Sequence, residues 1–189
     1  MSQAAAKNTQ SSKFSVRDIC YTGLFAAVIA VMAQISIPMP LGVPMTMQTF
    51  AITLAAVVLG SKLSAMASLV YLILGAVGVP VLASFSGGID KFVGPTGGFL
   101  ISFPLMAYII GLGVEHSNAF KGAFPLAVVV GTVVNYIVGV ILFVIVAHST
   151  VAVAISACVL PFIPTAIIKA VLACAIGLNL RKRIPGLKA

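Results

Sequence analysis

Lys169 lies inside the apolar run FIPTAIIKAVLACAIGL, residues 162–178. Arg181 is the next full charge downstream, and only the weakly basic His148 stands upstream within reach. An ammonium inside a membrane helix costs about 2.5–3.5 kcal/mol even on the mildest scale. Two readings account for it. A lysine near a helix end can lay its stem along apolar surface and send its amine to the headgroups. Alternatively, it is a buried cation awaiting the anionic group of a ligand, where a charge-assisted hydrogen bond offsets part of the cost. Gln48 opens another apolar run two residues after Thr46, and Asn135 and Tyr136 lie midway through a third. For any one amide, a hydrogen bond between helices, worth about 0.6–2 kcal/mol, is an adequate explanation. Together, two amides, a phenol and an ammonium on different segments suit a small polar ligand that carries a carboxylate. They do not suit proton pumping, because no Asp or Glu falls inside an apolar run.

The elements that must position these groups are membrane helices. The chain has 189 residues, 61% hydrophobic and 7% charged, with mean hydropathy +1.21, whereas soluble domains are about a quarter charged. The long apolar runs lack the alternation of a membrane barrel, so the fold class is an all-α integral membrane protein. Six spans are expected, near 15–37, 46–60, 62–79, 98–114, 122–147 and 160–180, each close to the roughly 20 residues that a bilayer demands. Residues 1–14 read as a disordered tail with no apolar signal region, and 181–189 as a basic tail. Three prolines in IPMPLGVPM, residues 37–45, forbid a continuous helix before the second span. Residues 80–97, rich in Gly and Pro, should form an irregular loop between helices 3 and 4. Residues 148–159 are expected to be a short interfacial or re-entrant piece.

Basic residues set the orientation. Lys7, Lys13, Arg17, Lys62, Lys121, Arg181, Lys182, Arg183 and Lys188 fall on one side and only Lys91 on the other, so both termini are expected in the cytosol. The glycine-rich loop then faces outward. With the sixth helix beginning near Pro164, Lys169 sits about 7–8 Å into the membrane from the outer side. The net charge of +8 flanks apolar spans rather than forming a nucleic-acid patch.

Enzyme chemistry is not expected. Asp18, Asp90, Glu115, His116 and His148 lie at span ends or in loops, and H-E-x-x-H, G-x-S-x-G and Walker A patterns are absent. Cys20, Cys158 and Cys174 are isolated in sequence and read as small apolar residues, so no metal or cofactor is expected. Without a phosphate-cradling loop the chain by itself cannot hydrolyse ATP, so it is either passive or borrows an engine. Ala26 and Ala30 on the first helix form a small-xxx-small face, suited equally to a partner helix or to internal packing.

IPMPLGVPMTMQTF, GAVGVPVLASFSGG, GPTGGFLISF and PFIPTAIIK, in that order, resemble the BioY family, the biotin-specific S-components of energy-coupling factor (ECF) transporters. The resemblance covers roughly residues 15–180 and is most specific from Gly75 to Gly98. It implies a six-helix bundle in the cell membrane that captures biotin from outside, working with a transmembrane coupling protein and two cytosolic ATPases. It also implies a docking role for the Ala26 and Ala30 face. Gly94, Thr96 and Gly98 complete the candidate binding set with Lys169, Lys91, Asn135, Gln48 and Tyr136, the glycines allowing close backbone approach in a lid. One departure stands out. The family pattern P-F-x-P-G-D-x-x-K is matched at Pro161, Phe162, Pro164 and Lys169, but Thr165 and Ala166 replace the glycine and aspartate. Biotin's ureido N–H groups then need another acceptor, for which Asn135, Gln48 or a loop carbonyl are the candidates. Lys169 is expected to hold the ligand carboxylate with Lys91 closing above it. The alternative gives the carboxylate to Lys91 and the ureido carbonyl to Lys169. At the level of function, the alternatives are an S-component for a different vitamin and a small intramembrane enzyme or channel-like protein.

Overall fold

The computed structural model describes residues 15–39, 42–117 and 122–184. The expected disordered tail at 1–14 and the end of the basic tail, 185–189, lie outside these residues. Arg181, Lys182 and Arg183 are not tail: they form the last turn of a helix.

Helix α1 (Val16–Ala33) begins at a capping box, with the Ser15 backbone N–H donating to Asp18 Oδ2 at 3.0 Å. It stops four residues short of the expected end, because Ile37 precedes Pro38 and is driven to extended geometry. Ser36–Ile37 (β1) instead pairs antiparallel with Met45–Thr46 (β2) in a two-stranded ribbon. Helix α2 (Gln48–Leu59) follows at once. Gly60, with φ +83° and ψ −173°, turns the chain directly into α3 (Ser61–Ala76). Those angles belong to a region open essentially to glycine alone. The corner is fastened from α5 (Gly97–Glu115): Glu115 accepts from the Ser61 backbone N–H at 2.7 Å and from its hydroxyl, capping the exposed donors at the start of α3.

The segment expected to be an irregular loop carries a 3₁₀ turn at Ala83–Phe85 and a one-turn helix, α4 (Asp90–Val93). Gln34 at the end of α1 holds it in place, donating to the Val81 carbonyl at 3.2 Å and accepting from the Phe85 N–H at 2.7 Å. Helix α6 (Ala123–Ala147), the short α7 (Val151–Cys158) and α8 (Ile163–Arg183) complete the chain. The short interfacial piece expected at 148–159 corresponds to α7.

Among the described residues, four stretches are long and apolar enough to cross a membrane: α1, α5, α6 and the Val151–Arg183 stretch that holds α7 and α8. Helix α6 buries only a narrow seam, Val128, Gly131, Asn135, Gly139 and Phe143. Its remaining surface exposes Leu126, Val129, Val133, Ile137, Ile141 and Ile145, the inverse of a soluble helix. Helices α2 and α3 are shorter, 12 and 16 residues. Nearly all of α2 is buried, enclosed by α1, α3, α5 and α8, so the central helix of the bundle need not match the length of those around it. Helices α5 and α6 make the most extensive helix pair. Gly98 permits it, since a Cβ there would strike the Val138 carbonyl and Leu142, and Gly139 lies against the Phe99 ring.

Candidate ligand-binding site

That close approach brings the Asn135 side chain of α6 against the backbone of α5. Its amide nitrogen donates to the Phe99 carbonyl at 3.1 Å and to Ser102 Oγ at 2.8 Å. Asn135 is 2% exposed to solvent, yet it lines a cavity of about 300 Å³ between the ribbon, α2, α5, α6 and α8. Ligand sites start at about this size. Phe99, Phe103 and Phe162 give the cavity an apolar wall, and Ser84, Ser86 and Lys91 from the segment after α3 form its rim. A second, small cavity of about 20 Å³ shares Thr49, Asn135, Tyr136 and Lys169 with it and is also lined by Thr53 and Thr132. It has room for one water molecule.

Gln48 stands at the first position of α2 with both ends of its amide held. Thr46 Oγ1 donates to its Oε1 at 2.7 Å, and its Nε2 donates to the hydroxyl of Tyr71, a fully buried residue of α3. Lys169 reaches back from α8 and donates to the Thr46 carbonyl at 2.6 Å. It has no carboxylate partner among the described residues. Lys91 differs: it lies at the rim, 42% exposed, and pairs with Asp90 at 3.2 Å.

Six of the eight candidate binding residues therefore converge on one cavity: Lys169, Lys91, Asn135, Gln48, Tyr136 and Thr96. Gly94 and Gly98 do not line it. Gly94 ends α4, and Gly98 serves the α5–α6 contact instead. Ala166 lines the cavity beside Thr165, so the position where the family pattern carries an acid faces the site. Sequence reasoning missed Tyr71 and Ser102, which never touch the cavity but fix the amides that do. A polar group within an apolar helix was the available signal for each. The docking expectation on α1 is corrected in part. Ala26 is 3% exposed and packs into the bundle core, and Ala30 is half-buried against it, so the internal reading of that face holds. The open face of α1 runs one residue round, through Gly23, Leu24, Ala27 and Val31. A Cβ on Gly23 would meet nothing.

A family model described as the BioY family matches residues 6–186. The chain is 42% identical over 168 residues to the biotin transporter BioY of Thermotoga maritima, covering 88% of this chain and 97% of that one. It is 36% identical over 159 residues to the biotin transporter BioY2 of Lactococcus lactis, covering 83% and 86%. Its fold is similar to the crystal structure of the S-component for biotin from an ECF-type ABC transporter, with TM-score 0.80 and 27% identity, covering 88% of this chain and 92% of that one. With its long apolar helices and transporter relatives, it is a multi-pass membrane protein. The match over nearly the whole sequence, with the same fold, establishes that the chain belongs to the BioY family.

Proposed function

We propose that this chain captures biotin in the cavity between α2, α5, α6 and α8, as the substrate-binding S-component of an ECF-type transporter. It is a transport subunit and not an enzyme, in keeping with relatives named as biotin transporters. The observation that carries the reading is the deep end of the cavity, where Lys169, Gln48 and Asn135 converge with no carboxylate among them. A mixed set of donors and acceptors fits a ureido group, which presents a carbonyl and two N–H groups on one rigid ring. It fits a carboxylate poorly, since a carboxylate accepts only, and a buried carboxylate costs far more to desolvate.

We therefore assign the two ends of the ligand in the alternative order, with the carboxylate at Lys91 and the ureido carbonyl at Lys169. The ureido ring enters first and its carbonyl accepts from Lys169, while the phenylalanine wall covers the apolar ring body. The valerate carboxylate stays at the wet rim near Lys91. Thr96 and Tyr136 add polar contacts along the way. The chain crosses the bilayer six times, through α1, α2, α3, α5, α6 and α8, with both ends cytosolic and the cavity rim outside. A transmembrane coupling protein and two cytosolic ATPases supply the energy, the coupling protein docking on the open Gly23–Ala27 face of α1 rather than on Ala26. The test is native mass spectrometry of protein purified from biotin-containing medium. Co-purified biotin supports the reading. A different vitamin in its place reassigns the substrate, and an empty site that takes up no added biotin ends the proposal.

A further inference from the structure

Asn135 has two amide N–H donors and one carbonyl acceptor, and both donors are committed. One goes to the Phe99 carbonyl and the other to Ser102 Oγ. The Ser102 hydroxyl in turn donates to the same Phe99 carbonyl at 3.0 Å, so its oxygen is left to accept from Asn135. Rotating the amide by half a turn would set Oδ1 against the Phe99 carbonyl, with two acceptors facing each other and a buried N–H left unpaired. The orientation is thus fixed by its neighbours on α5. Oδ1 accepts no hydrogen bond among the described residues, and Asn135 lines both the cavity and its small neighbour. The other deep polar groups behave differently. Lys169 only donates, and Gln48, held at both ends by Thr46 and Tyr71, retains one donor and one acceptor valence.

We infer that Asn135 is the specificity-determining acceptor of the site, taking a ureido N–H of the ligand on Oδ1, and that Ser102 is a positioning residue that holds this polarity together with the Phe99 carbonyl. The inference rests on the proposed binding of a ureido ligand at the deep end. It makes the cavity selective for a ring edge that donates: a ligand with a ring oxygen or N-alkyl group at that edge faces a fixed acceptor and leaves it unpaired. Thr165 and Ala166 supply no acid at this depth, so the N–H relies on a neutral carbonyl whose direction is imposed from the second helix behind it.

The test compares wild type, Asn135→Leu, Ser102→Ala and Ser102→Thr in detergent. Each is titrated with biotin and with the two cyclic-carbamate analogues in which one ureido N–H or the other is replaced by a ring oxygen. Wild type should prefer biotin over one of the two analogues by about tenfold or more. Asn135→Leu should abolish that preference. Ser102→Ala, which removes one of the two acceptors that hold the amide, should reduce it several-fold, and Ser102→Thr, which keeps the hydroxyl, should restore it. A biotin-to-carbamate ratio that is unmoved in Asn135→Leu overturns the acceptor assignment. Equal proportional losses for all ligands in Ser102→Ala reduce Ser102 to a packing residue and overturn its positioning role. Failure of wild type to bind biotin at all overturns the function reading on which the inference rests. Binding with an unmoved ratio overturns the inference alone.

Discussion

Lys169 on α8 and the backbone carbonyl of Thr46 on β2 are joined by a hydrogen bond of 2.6 Å that closes 123 residues of sequence. Both residues line the cavity, as do the buried Gln48 and Asn135. Replacing Lys169 with Met should therefore weaken biotin and an uncharged biotin amide alike, by roughly ten- to a hundredfold, the range for a hydrogen bond to a charged group. Lys91→Met should weaken biotin by a few-fold and leave the amide unchanged, since an exposed cation is screened. Calorimetric titration of both variants with both ligands checks this. A loss confined to biotin in Lys169→Met would return the carboxylate to Lys169. No loss with either ligand would leave Lys169 a snorkelling side chain.

Tyr71 lies outside the cavity but accepts from Gln48 Nε2. Tyr71→Phe keeps the ring and removes that acceptor, leaving a buried donor unpaired at a cost of about 1–3 kcal/mol. Both the melting temperature and biotin affinity should fall, and Gln48→Leu in the same background should recover part of the stability but none of the affinity. Melting curves with and without ligand separate the two effects. An unchanged Tm in Tyr71→Phe would show that Gln48 finds another partner.

On α1, Ala26 and Ala27 should behave in opposite ways. Ala26→Trp forces a large ring into a closed core and should cost at least about 1–3 kcal/mol. Ala27→Trp, on the open face, should leave folding and biotin affinity intact while blocking uptake in cells that supply the partner subunits. Radiolabelled uptake beside binding by the purified variant decides the matter. Normal uptake with Ala27→Trp would move the docking surface off this helix face.

Gly60→Ala should lower stability by roughly 1–3 kcal/mol through its backbone angles alone. The added methyl would also press on the Glu115 carboxylate that caps α3. Thermal unfolding measures this directly. A variant with wild-type Tm would mean that the α2–α3 corner relaxes freely.

Reporter fusions placed after residue 189 test the orientation. A reporter that works only in the cytosol should be active there, and one that works only outside should be silent. The reverse result would overturn the orientation drawn from the basic residues and with it the outward-facing rim.

Hydropathy alone was enough to define the solvent and the class of the fold. It leaves only helices that satisfy their own backbones in lipid, and Gly and Pro mark where those helices break. The sequence also singled out Lys169, Gln48 and Asn135, because a polar group in an apolar run is conspicuous in one dimension. Where the chain resembled its family, the motifs carried the identity that the relatives then established. Tertiary structure decided what spacing along one helix cannot encode. Ala26 and Ala27 are neighbours in sequence with the same side chain, yet one faces the core and the other is open. Their difference depends on the rotation of α1 against α2 and α3, which is set by packing. Gly98 looked like a lid residue, but the contact of its backbone with α6 gives it a packing role. The polarity of Asn135 depends on Phe99 and Ser102 one helix away. An amide is a donor and an acceptor at once in sequence, and only the neighbours that consume its N–H groups decide which face it turns to a ligand.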